Sequence, residues 1–211
     1  MMRIESVATQ PDRAGRYLIK FEDGTSMRLY RQTVEDFMLY PGKTMDDDQL
    51  RNLRASAGQM SAKMRAVRIV SASSVSKADL EQRLVQKGES KQDARKAVAW
   101  MEDLDLLDDK KTAEQVVHRC ISKGYGLARA KQALYEKRIP KEFWEEALMD
   151  YPDQTEKILD FLKTRLGDNW EEKDLRKATD ALLRRGHSYR EIRTAMQEYA
   201  QGADFQEEYY G

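Results

Sequence analysis

Ala78-Asp-Leu-Glu-Gln-Arg-Leu84-Val-Gln-Lys-Gly88, Leu127-Ala-Arg-Ala-Lys-Gln-Ala-Leu134-Tyr-Glu-Lys-Arg138 and Leu175-Arg-Lys-Ala-Thr-Asp-Ala-Leu182-Leu-Arg-Arg-Gly186 read as three versions of one amphipathic helix. The anchors Leu84, Leu134 and Leu182 are separated by 50 and 48 residues (134 − 84 and 182 − 134). A period in this range marks stacked supersecondary units, each relying on a neighbour to bury its apolar face. Such an array offers a continuous surface, better suited to an extended partner than to a small substrate.

Each unit has room for three helices. In the first these are Ala62–Ser71, Lys77–Gln86 (capped by Ser76, closed by Gly88) and Ser90–Leu104. In the second they are Thr112–Ser122, Leu127–Lys137 and Lys141–Met149, and in the third Thr155–Leu166, Glu172–Arg185 and Tyr189–Tyr199. The first sixty residues differ. Ile4–Thr9, Tyr17–Phe21 and Ser26–Tyr30 have the alternation of short strands, joined by Pro11–Gly15 and by the Asp23-Gly24 turn. Thr33 reads as the cap of a short helix to Met38. Asp46-Asp47-Asp48 opens another from about Gln49, where negative charge suits the macrodipole. The expected fold is mainly α: an elongated array of three three-helix repeats after a small three-stranded β-meander and helix. The expected boundaries are 1–60, 61–109, 110–150, 151–200 and an acidic tail, 201–211.

The 211 residues are 40% hydrophobic and 35% charged, a folded and highly soluble composition. Lys+Arg and Asp+Glu are both 37, so no global basic field of an indiscriminate DNA binder exists. The distribution is uneven. Lys110–Asp150 holds nine basic and six acidic residues, Tyr151–Gly211 ten and thirteen. The lone Cys120 excludes an internal disulfide, and no apolar run approaches a membrane span. With Arg3, Glu5 and Asp12 interrupting any leader, these features point to a cytoplasmic protein without membrane contact.

Catalysis and metal binding have little to stand on. His118 and His187 lie in different repeats, and His118 and Cys120 face apart on a helix. Asp108-Asp109 reads as a helix cap and dipole pair rather than a Mg²⁺ site, and Gly124-Tyr125-Gly126 lacks the context of a phosphate loop. The expectation is no catalytic residue, no metal and no cofactor. Basic residues recur instead. Arg129, Lys131, Lys137 and Arg138 lie around an apolar stripe of Leu127, Ala130, Ala133 and Leu134. Arg176, Lys177, Arg184 and Arg185 repeat the arrangement in the third unit, and Arg83 and Lys87 echo it in the first. Composition alone favours solvated faces over a phosphate-tracking or acidic-groove surface. Tyr125 reads as helix-junction packing ahead of partner stacking. Trp100, Trp144 and Trp170 read as core or inter-repeat wedges.

The second unit carries Leu107-Asp108-Asp109, Arg119, Lys123-Gly124-Tyr125-Gly126, Ala128-Arg129, Lys131-Gln132-Ala133-Leu134 and Lys137-Arg138-Ile139. This resembles the signature of the RecX family, bacterial regulators of the RecA recombinase. The resemblance is specific between Leu106 and Ile139. It implies three-helix repeats, a non-enzymatic role and the RecA filament on single-stranded DNA as partner, usually with inhibition. A weak contact to single- or double-stranded DNA and a monomeric protein are further expectations. The contact candidates the resemblance selects are Arg119, Lys123, Tyr125, Arg129, Lys131, Lys137 and Arg138, with Arg176, Lys177, Arg184 and Arg185 as the third-repeat counterparts. Arg138 stands where the family usually has Gly, so that helix is expected to close without a left-handed residue. Thr112 replaces a common aromatic. Ser73-Ser74-Val75-Ser76 replaces an Arg-rich stretch, so no contact is carried to the first repeat. The alternative is a helical-repeat nucleic-acid-binding module acting without RecA. A scaffold is more distant.

Overall fold

The structure, a computed structural model, describes residues 1–166 and 170–210, with the side chains of 201–210 outside the description. The chain forms two compact units, Met1–Leu107 and Asp108–Gly211.

The first unit opens with an antiparallel sheet of four strands, one more than the sequence pattern announces. They are β1 (Met2–Val7), β2 (Arg16–Phe21), β3 (Ser26–Tyr30) and β4 (Thr44–Met45), in the order β3-β2-β1-β4. β4 is two residues long, too short to carry an alternation, and pairs Met45 with Met2. Helix α1 runs Arg31–Asp36, and Thr33 is buried inside it rather than capping it. Helix α2 (Asp47–Ala72) starts with a capping box: Gln49 N–H donates to Asp46 Oδ1 at 2.7 Å, and Asp46 N–H to Gln49 Oε1 at 3.2 Å.

The expected break near residue 60 falls inside α2. Its first half closes one core, in which Leu50 and Leu53 meet Ile4, Ile19, Phe21 and Leu29. Its second half supplies Ala62 and Ala66 to another core with Leu80, Leu84, Ala94, Ala97 and Met101. Those partners come from α3 (Lys77–Gln86) and α4 (Lys91–Asp103). Gly58 lies within the helix, where a Cβ would come 2.8 Å from Asp93 Oδ2.

The second unit holds α5 (Asp109–Ser122), α6 (Leu127–Glu136), a 3-10 turn Lys141–Phe143 running into the short α7 (Trp144–Leu148), and α8 (Thr155–Leu166). It ends with α9 (Glu172–Arg184) and α10 (Tyr189–Tyr210), whose backbone continues well past the Tyr199 end that the sequence pattern implies. The side chains of the expected acidic tail lie outside the described residues. The three anchors Leu84, Leu134 and Leu182 have no exposed surface, so the repeat pattern marks the core of each three-helix unit.

The turns after α3, α6 and α9 share one geometry. In each, two backbone bonds wrap the helix end around a left-handed residue: Gly88, Arg138 and Gly186. Arg138 takes this conformation despite its side chain, at φ 54°, contrary to the sequence expectation. Its N–H donates to Tyr135 O at 2.9 Å, and Ile139 N–H to Leu134 O at 3.1 Å. Met38 closes α1 in the same way at φ 45°, with its side chain 72% exposed. A left-handed L-residue costs about 1–2 kcal/mol, and glycine gives back about 0.5–1 kcal/mol in backbone entropy. Met38→Gly is therefore expected to stabilise the first unit by about 0.5–1 kcal/mol, read as a higher urea midpoint at unchanged slope.

Candidate functional site

Helix α5 begins at Asp109, three residues before the expected Thr112, and Asp108 caps it as the sequence implies. Asp108 accepts from Lys111 N–H at 3.0 Å, and this bond holds the Asp108 carboxyl below its ordinary range. Asp109 is buried in the first turn. Ala113, Val116, Val117 and Cys120 face inward. The opposite face is exposed, and Glu114, Gln115, His118, Arg119, Ser122 and Lys123 line a shallow surface concavity along it. Arg119 and Lys123, four residues apart, stand side by side there.

Burial pushes the Cys120 thiol up, and the charges of Arg129, Lys123 and Arg119 oppose that rise. These three cations therefore all lie near enough to Cys120 to act on its thiol. Their partners differ. Arg129 Nη1 bonds Glu136 at 2.9 Å, which raises the Arg129 pKa and lowers that of Glu136. Arg119, Lys123 and Lys131 make no ion pair or hydrogen bond through their side chains among the described residues.

Helix α6 buries Ala130 and Leu134, half-buries Ala133 and leaves Leu127 38% exposed, so Leu127 departs from the expected apolar stripe. Leu127, Lys131 and Tyr135, at four-residue spacing, instead form an outward stripe, with Tyr135 68% exposed. Sequence reading missed Tyr135. Its place four residues after Lys131, off the Ala130–Leu134 face, was the available signal.

The N-terminus of α6 is closed by protein. Gly126 N–H donates to Arg185 O at 3.0 Å and Ala128 N–H to Gly186 O at 3.2 Å. The orphan donors of α6 thus meet the orphan carbonyls of α9, head to tail. The two backbones approach so closely that a Cβ on Gly126 would overlap the Gly186 carbonyl. This explains the glycines around Tyr125: Gly124 takes φ 64° after α5, and Gly126 admits the α9 turn. Tyr125 is half-buried, and its carbonyl accepts from Tyr151 Oη at 2.6 Å. Burial pushes the Tyr151 hydroxyl up to about 12.

The remaining candidates scatter over other faces. Arg138 is exposed on the turn after α6 and Lys137 half-buried beside it. On α9, Arg176 and Arg184 are exposed, Lys177 reaches Asp174 at 3.5 Å, and Arg185 stacks on the Phe161 ring at 4.4 Å. Arg185 therefore spends its side chain on packing. Trp144 is half-buried and donates to Ile139 O at 3.0 Å, Trp100 packs under Lys63, and Trp170 is 37% exposed. Among the described residues no group of three or more His, Cys, Asp or Glu gathers as a metal site, and no helix is long and apolar enough to cross a membrane.

Residues 108–148, which open the second unit, match the family model described as RecX, second three-helix domain. The chain is 26% identical over 151 residues to the regulatory protein RecX of Vibrio parahaemolyticus, covering 68% of this chain and 94% of that protein. It is 27% identical over 150 residues to the RecX of Vibrio vulnificus, covering 70% and 98%. Among solved structures, a regulatory protein RecX superposes with a TM-score of 0.59 over 93% of this chain and 100% of that one, at 19% identity, a likeness of fold. RecX from Lactobacillus salivarius superposes with a TM-score of 0.57 over 69% and 99%, at 25% identity. The match falls on the segment that carries the Lys123–Gly126 turn and the exposed cations. With relatives spanned over nearly their whole length, these likenesses support a RecX-family protein.

Proposed function

We propose that this protein is a non-enzymatic regulator that binds the RecA recombinase, in its filament on single-stranded DNA, and inhibits strand exchange. The observation that carries this reading is the exposed surface of the second repeat. Arg119, Lys123 and Lys131 are exposed and make no ion pair among the described residues, and Lys131 lies between Leu127 and Tyr135 on the exposed stripe of α6, all on the segment that matches the family. A mixed apolar and cationic surface suits an acidic protein groove, with charge setting rate and register and the aromatic supplying an anchor.

Two features favour a protein partner over bare nucleic acid. The formal net charge is zero, so counterion release supplies little general affinity. The N-terminus of α6 is occupied by α9 carbonyls, so it is closed both to phosphate and to the groove insertion of a helix-turn-helix. The DNA contact is accordingly weak, and the protein acts as a monomer in the cytoplasm. The test is RecA-catalysed strand exchange with increasing amounts of this protein. The expected result is inhibition that saturates well below one molecule per recombinase protomer. Undiminished exchange at a molar excess contradicts the proposal.

A further inference from the structure

His187 is 4% exposed and sits just after the left-handed Gly186, at the turn between α9 and α10. Its Nε2 lies 3.0 Å from Gly124 O, on the turn that closes α5. A carbonyl only accepts, so Nε2 carries the hydrogen, and the neutral ring leaves Nδ1 bare. Nδ1 is buried and has no hydrogen-bond partner among the described residues.

The ring lies in a junction held together by backbone. Beside it run the Gly126–Arg185 and Ala128–Gly186 hydrogen bonds and the glycine crossing that admits no Cβ. Neutral His187 thus fastens the third repeat to the second through one donor. The protonated ring brings a second donor and a charge into a buried place that offers that donor no protein acceptor among the described residues.

We propose that His187 is a proton-operated latch: protonation of its ring releases the α9–α10 turn from the α5–α6 turn and frees the second repeat from the third. The groups around it do not offset that cost. The Gly124 carbonyl and then Glu191 on α10 favour the proton, but the carbonyl already takes the Nε2 hydrogen of the neutral ring, and the Glu191 carboxylate is held by Ser188 N–H at 2.6 Å. Arg185, at the end of α9, opposes it. Across the junction stand Lys157 of α8, packed on Gly124, and Arg129 of α6, packed on Gly186. Tyr151 and Cys120 are neutral, both with raised pKa values from burial. Burial is the largest influence on His187 and depresses its pKa below the ordinary 6.5. The closed junction therefore binds fewer protons than the open one. Its stability is complete above pH 6.5 and is lost as pH falls from there through the depressed value.

The experiment uses the full chain, with amide exchange corrected for intrinsic rates between pH 7.5 and 5.0. The Gly126 and Ala128 amides report the junction. Their protection is expected to fall about tenfold across this range. Leu134, Leu162 and Leu182, inside the cores, should keep theirs. The His187 ring, followed by NMR, should titrate in step with the loss. His187→Gln, which keeps a donor and cannot titrate, should hold the protection flat. The proposal is overturned by protection that ignores pH, by ring titration without loss of protection, by loss that persists in His187→Gln, or by simultaneous loss at the three core amides. Should His187→Gln fail to fold, agreement or disagreement between the wild-type ring titration and the exchange midpoint decides.

Discussion

Gly186→Ala is expected to cost the second unit about 3 kcal/mol or more, and Gly88→Ala, at the same place in the first repeat, only about 1 kcal/mol. Both glycines follow the second helix of their repeat in the left-handed region, at φ 87° and 92°. They differ in what a methyl group would meet. At Gly88 nothing lies within 4 Å, so the cost is conformational alone. At Gly186 the new carbon would overlap Arg129 N and lie 2.9 Å from Arg129 Cα. Backbone cannot swing aside as a side chain does, so α9 has to retreat from α6. The Gly126 and Ala128 hydrogen bonds are lost with it. Urea unfolding of the two variants measures the difference. Equal costs would mean that the crossing of the second and third repeats is not held as described.

Reversing Lys123 and Lys131 to Glu is expected to weaken filament binding by about a hundredfold while leaving the melt nearly unchanged. Both side chains are exposed and make no ion pair among the described residues, so folding draws little from them. At a binding surface the same change turns attraction into repulsion. Arg129, another of the sequence candidates, is the poorer probe, because its guanidinium holds Glu136 and its reversal would strand that carboxylate. Reversal of Arg176 and Arg184 should do less, since they lie on α9, outside the matched segment. A third-repeat reversal that proved the more damaging would move the contact surface off α5 and α6.

The repeat was legible because burial of an amphipathic helix writes itself at helical spacing. The three leucine anchors and the caps Ser76, Ser90 and Asp108 stand where that spacing and capping chemistry put them. What stayed hidden depends on contacts between segments distant in sequence. β4 is too short to alternate, and its pairing with β1 was invisible from either strand. Arg138 takes the left-handed turn because its neighbours Leu134 and Ile139 bury and fix the wrap around it. The burial of His187 follows from the glycine crossing, which leaves no periodic trace.

The site was legible in part. The cations of the second repeat could be found from sequence, but not which of them were already engaged. The Arg129–Glu136 pair is seven residues apart on one helix and was open to notice, whereas Arg185 over Phe161 joins two helices. The outward stripe of Leu127, Lys131 and Tyr135 emerges only once the buried face is known.

The most direct test of the central claim compares binding of the purified protein to RecA filaments and to bare single-stranded DNA of the same length, across a salt series. The account predicts clear preference for the filament at physiological salt and a shallow salt slope, because a chain without net positive charge releases few counterions. Equal affinity for bare DNA with a steep salt slope would contradict it and identify a nucleic-acid-binding repeat protein that acts without the recombinase.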